Sequence, residues 1–141
     1  MDEGTIAIFE RSLERCNDKK GFLDLFYRLF LESSPKVREK FADTDFERQK
    51  TALRASFILM RLVAADNGVG ADKHLKELAV RHSSADLNIG AELYDLWLDS
   101  LISAVESYDP EFDDEIGEAW EKVMGVGIRY LLSHYHPPAA V

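Results

Sequence analysis

The stretch LKELAVRH, Leu75 to His82, decides how this chain reads. Leu75, Leu78, Ala79 and His82 fall at i, i+3, i+4 and i+7, one face of a helix. Three of the four are apolar, and a histidine stands where a core would take another leucine. Such a histidine is either hydrogen-bonded inside the core or at its margin, or it is a metal ligand or an acid–base group. The rest of the chain has to choose between these.

Working outward, the periodicity is helical nearly everywhere and strand-like alternation is absent. A first helix is predicted from about Thr5 to Cys16, with Ile6, Phe9 and Leu13 inward. A second, KGFLDLFYRLFLE from Lys20 to Glu32, is apolar on most sides and so should lie between neighbours. Pro35 suits the first turn of a short helix ending near Phe41. Asp43-Thr-Asp45 announces a helix from Phe46 to Asp66, with Gln49, Leu53, Phe57 (or Ser56), Met60 and Val63 inward. The opening stretch belongs to a helix from Ala71 to Ser83. Another runs from Gly90 to Ser107 with Tyr94, Trp97, Leu98, Leu101, Ile102 and Val105 inward. Pro110 opens the last, whose stripe is Ile116, Trp120, Val123, Gly127, Tyr130 and Leu131, up to Tyr135. The expectation is an all-α fold of six to seven helices, too uneven in length for a four-helix bundle.

The chain of 141 residues suits one domain, 1–141, with residues 137–141 as a short tail after Pro137 and Pro138. A hydrophobic share of 46% excludes a disordered chain. The net charge is −9 with the acidic residues spread along the chain, which argues against nucleic acid and against anionic lipid as partners. One cysteine, Cys16, excludes an intramolecular disulfide and a cysteine-based metal cluster. The acidic N-terminus is no signal peptide, and no apolar run reaches the roughly 18–20 residues of a membrane span. A cytoplasmic protein without membrane insertion is expected.

Four polar residues occupy apolar faces of four different helices: Tyr27, Gln49, His82 and Tyr94. Burying a polar group costs free energy unless it finds a partner, so four together suggest a shared polar purpose. Metal-cluster spacing is missing. There is no H-E-x-x-H, and His74 lies two turns from His82, roughly 12 Å away. No G-x-S-x-G offers a nucleophile. A single histidine ligand does suit the iron of a haem, whose four in-plane ligands come from the porphyrin. Tyr27 reads as a buried ring with its hydroxyl at water, and Gln49 as a partly exposed residue near a helix start. Alternatively, the two together donate hydrogen bonds to a bound diatomic ligand.

The segments FYRLFLESSPKVREKF, ERQKTALRAS, LAVRHSSADLNIGAELYDLWLDSLI and AWEKVMGVG, in this order, resemble the globin family. The likeness runs from about Phe9 to Tyr135. It is strongest to bacterial single-domain haemoglobins and to the haem domain of flavohaemoglobins. The resemblance implies a globin fold around haem b (iron protoporphyrin IX). On that likeness His82 matches the proximal iron ligand, its Nδ1–H donating to a carbonyl near Leu78. Pro35 matches the proline that opens the short third helix. Phe41 matches the phenylalanine stacked on the haem face. Tyr27 matches the distal tyrosine, Gln49 the distal glutamine, Leu53 its apolar neighbour over the ligand, and Tyr94 the tyrosine near the proximal pocket. Trp120 falls in the AW of the last helix.

The chain also departs from the family pattern. The stretch from Phe41 to Gln49 is short, so little or no helix is expected there, and the connection from His82 to Tyr94 is about two residues longer. Tyr135 stands where flavohaemoglobins carry a glutamate, and no flavin- or nicotinamide-binding segment is present. The resemblance implies reversible binding of O2, CO or NO at an open sixth iron position, with Tyr27 and Gln49 conferring high O2 affinity. The alternatives it implies are NO dioxygenase activity with an external flavin reductase, and, behind that, a gas sensor acting through a partner.

Overall fold

Four short polar side chains start the helices. Asp2 accepts from the Thr5 amide at 2.7 Å and begins α1, Glu3–Asn17. After α2, Phe22–Ser33, Ser34 accepts from the Lys36 amide at 3.2 Å and begins α3, Pro35–Lys40, with Pro35 in the first turn. Asp45 accepts from the Glu47 and Arg48 amides at 3.2 and 3.3 Å and begins α4, Phe46–Ala65. Asp113 accepts from the Ile116 amide at 2.9 Å and begins the last helix, α6, Asp114–Ser133. Each such cap satisfies an amide that the helix itself leaves open, worth about 1 kcal/mol. Between α4 and α6 lies α5, Tyr94–Tyr108. The structure, a computed structural model, describes residues 2–65 and 93–133, the side chains of 130–133 excepted. The expected helix 71–83 lies outside the described residues.

The last helix begins later than Pro110. Asp109 accepts from the Phe112 amide through its carbonyl (3.1 Å) and from the Glu111 amide through its carboxylate (2.9 Å). These bonds make a turn of residues 109–112, and the helix starts only at the Asp113 cap. Between Lys40 and Phe46 the chain makes turns without a helix, as the short spacing predicts.

The described chain is all-α, with six helices. The α2 helix packs on α5, α4 on α6, and α1 lies across α6. Trp120 of α6 sits where these pairs meet and is wholly enclosed. The rings of Phe9 (4.7 Å), Phe57 (5.8 Å) and Phe22 (6.4 Å) approach it edge-on from α1, α4 and α2, the arrangement that ring quadrupoles favour. Where α4 crosses α6, Gly127 lets the backbones close in. A Cβ on Gly127 would lie 2.6 and 2.7 Å from Met60 Cγ and Cβ. Among the described residues no helix is long and apolar enough to cross a membrane.

On α1 the buried face is Ile6, Phe9, Ser12 and Cys16, and Leu13 is only partly covered. The face turns toward Ser12 because Ser12 is held. The Trp120 indole donates to Ser12 Oγ at 2.8 Å, and Ser12 Oγ donates to Asp109 at 2.6 Å. Arg15 adds two bonds to the same carboxylate, at 2.6 and 2.9 Å. Burial disfavours the Asp109 anion, but the Arg15 and Ser12 hydrogen bonds outweigh it and hold the pKa below the usual carboxylate value. An ion pair of Arg61 with Glu10 links α4 to α1.

Two predictions follow from this packing. Gly127→Ala should destabilise by about 1–3 kcal/mol, because Met60 and its backbone must shift to admit a methyl group, as a urea melt would show. Asp109→Ala should cost about 2–4 kcal/mol, since it leaves Ser12 and a partly buried Arg15 without their acceptor. The lowered pKa fixes the sign of the pH effect. The Asp109 contribution is complete above about pH 4 and is lost as pH falls through the folded-state value. In melts at successive pH values, the gap between the parent and Asp109→Asn should therefore narrow below about pH 4.

Candidate functional site

Helix α2 buries Tyr27 within a run of aromatic residues because Phe22, Leu23, Phe26, Tyr27 and Phe30 share one face, an arc of about 140° at 3.6 residues per turn. The Tyr27 ring meets Phe26 at 4.8 Å and Phe46, from the first turn of α4, at 5.4 Å, both edge-on. Phe46 in turn stacks near Phe41 at 6.5 Å, and Phe41 meets Phe30 at 5.8 Å. Phe41 closes α3, where its own amide donates to the Val37 carbonyl at 3.1 Å. An aromatic wall thus runs from α2 across the turn after α3 to the start of α4.

The Tyr27 hydroxyl is enclosed and has no hydrogen-bond partner of normal geometry among the described residues. Burial pushes its pKa up, and the side chain of Gln49, the polar group near it, pulls the other way. Gln49 is partly buried and sits one turn into α4, its amide bonded to the Asp45 carbonyl at 3.0 Å. Leu53, one turn further along, is fully buried. Phe46, Gln49 and Leu53 share one face of α4 by their spacing.

The structure therefore brings Tyr27, Gln49 and Phe41 to one place, with Leu53 on the same helix face as Gln49. Tyr94 is buried at the first residue of α5, with its ring 6.1 Å from Trp97. Trp97 meets Phe26 at 5.9 Å, so Tyr94 joins the wall through two rings. Leu78 and His82 lie outside the described residues, as do His74, His134, His136 and Tyr135. Among the described residues no group of three or more His, Cys, Asp or Glu side chains could hold a metal ion.

Phe46 was not singled out by its sequence position. It opens a helix at a partly covered site, and only its contacts with Tyr27 and Phe41 assign it to this wall. The apolar alternation of α4 gave the one available signal, since Phe46 lies on the stripe of Gln49 and Leu53.

A haem is flat and apolar over most of its surface, and the gas on its iron accepts hydrogen bonds on one side only. The aromatic wall with one enclosed hydroxyl, without a partner of normal geometry among the described residues, fits that requirement. A buried donor without an acceptor costs about 1–3 kcal/mol, which a ligand accepting its proton would recover.

The sequence matches the globin family over residues 23–130. Among solved structures, a Pseudomonas aeruginosa PAO1 protein, described as structurally highly homologous to a human hemoglobin, is 44% identical to this chain. The match covers 93% of this chain and 98% of that one, with a TM-score of 0.79. No curated protein matches the chain. With the family matched over most of its length and a close relative of the same architecture, the chain belongs to the globin family.

Proposed function

We propose that this chain is a single-domain, haem b-binding globin that reversibly holds O2, and also CO and NO. The observation that carries the reading is the enclosed Tyr27 hydroxyl, which has no hydrogen-bond partner of normal geometry among the described residues. His82 is the proximal ligand to the iron. Phe41, Leu53, Leu78 and Tyr94 line the two faces of the haem. Bound haem supplies an iron whose sixth position accepts a diatomic gas.

The chain's own part is to hold the gas and keep water away. Burial raises the Tyr27 pKa, so its phenol keeps its proton at neutral pH and acts as a donor. The Tyr27 O–H donates to the gas, and the Gln49 amide is the second donor on that side. In a dry pocket of low dielectric such a bond counts for more than in water. Phe41 and Leu53 exclude water from the same space. The outcome is high O2 affinity and slow release.

The closeness of Tyr27 and Gln49 also favours a second reading, consumption of NO with an external flavin reductase. Multiple turnovers of NO with such a reductase support it, and consumption limited to one equivalent leaves a binding protein.

Two measurements test the primary reading. The haem-loaded protein should show a Soret band with five-coordinate ferrous features, weakened or lost in His82→Ala; no haem uptake by the parent removes the gas-binding reading altogether. Tyr27→Phe should speed O2 release tenfold to a hundredfold, the equivalent of a hydrogen bond of about 1–3 kcal/mol. Stopped-flow release at the parent rate would show that the hydroxyl does not hold the gas.

A further inference from the structure

A buried tyrosine is usually fixed at both ends, its ring by packing and its hydroxyl by a hydrogen bond. Among the described residues the ring of Tyr27 is packed, while its hydroxyl, near the Gln49 side chain, has no partner of normal geometry. The position of that oxygen therefore depends on the ring. The phenolic oxygen lies on the Cβ–Cγ axis, so turning the ring about χ2 leaves it in place. Only a change of χ1 moves it, and on a helix χ1 has two common wells.

Two rings bound the Tyr27 side chain. Phe26 is its neighbour on α2 and moves with it. Phe46 belongs to α4 and approaches edge-on at 5.4 Å, with an interplanar angle of 64°. Phe46 is itself well anchored. The Asp45 cap bonds sit beside it at the helix start, and Phe41 stacks near it with an interplanar angle of 30°. It also shares a face of α4 with Gln49. One residue thus ties the tyrosine of one helix to the helix that carries the glutamine.

We propose that Phe46 is a positioning residue for gas binding: its ring holds the Tyr27 side chain in the χ1 well that aims the hydroxyl at the gas. The proposal rests on the haem-binding reading above. Phe46 does not itself bond the gas, so its whole effect on release passes through Tyr27. A smaller side chain there leaves both χ1 wells open to Tyr27, and the hydroxyl divides its time between aimed and turned-away positions.

The experiment compares the haem-loaded parent, Phe46→Leu, Tyr27→Phe and the double variant. Thermal melts check that each is folded. The probes are O2, read by its release rate, and CO, read by its infrared stretching band, which a hydrogen-bond donor lowers. Phe46→Leu should speed O2 release by about threefold to tenfold, the scale of one lost aromatic contact. Its CO band should rise or split into two, reporting two positions of the hydroxyl. Added to Tyr27→Phe, the same change should do nothing further. Phe46→Met, which restores length and bulk, should return the band toward the parent's. A parental release rate and CO band in Phe46→Leu overturn the proposal. So does an equal acceleration in both backgrounds, which would mean that Phe46 acts on the gas directly. If Tyr27→Phe itself leaves release unchanged, the donor role of Tyr27 fails, and the Phe46 proposal fails with it.

Discussion

Trp120 donates its indole N–H to Ser12, Ser12 donates to Asp109, and Arg15 grips the same carboxylate. This chain of bonds joins α1, the turn between α5 and α6, and the middle of α6. Every member has its partner, so a carboxylate with no exposed side-chain surface is tolerated in the core. Around it, Phe9, Phe22 and Phe57 close on the same indole from three helices. The helices α2 and α4 are seated against this assembly, and they carry the tyrosine and the glutamine of the candidate site.

The molecule buries polar groups in two different ways. At Asp109 the network is complete, and its effect is to fix how helices meet. At Tyr27 the hydroxyl is enclosed and has no partner of normal geometry among the described residues. An arrangement of that kind lowers stability and persists where a ligand completes it. The rings of Phe46, Phe41 and Phe30 pack in a continuous wall beside Tyr27. Rigid walls with one donor left open are what a small, weakly polar ligand needs, because it brings few contacts of its own to organise a pocket.

Much of this was legible in local sequence. Asp45 and Pro35 mark helix boundaries because a cap acts within three residues of itself. The stripe of α4 from Leu53 to Val63 and that of α6 from Ile116 to Gly127 read correctly because a helical period needs no knowledge of what lies opposite. Tyr27 and Gln49 stood out as polar residues on apolar faces, and both point to the same place. Pro110, by contrast, was a misleading start signal. The Asp109 carboxylate was already committed to Arg15, Ser12 and the Glu111 amide, and it holds the chain in a turn until Asp113.

The sequence by itself determined that the chain is helical, which face of each helix is apolar, and which polar residues interrupt those faces. These follow from propensity and period, which act over a turn or two. Only the tertiary structure decided that Ser12 faces inward, that Gly127 sits against Met60, and that the ring beside Tyr27 is Phe46. Each of these depends on the angle and depth at which two helices cross. That geometry is set by side-chain volumes contributed from distant parts of the chain, and no local pattern encodes it. The same holds for the Tyr27 hydroxyl: a sequence shows that a donor is buried, and only packing shows that it has no partner of normal geometry among the described residues.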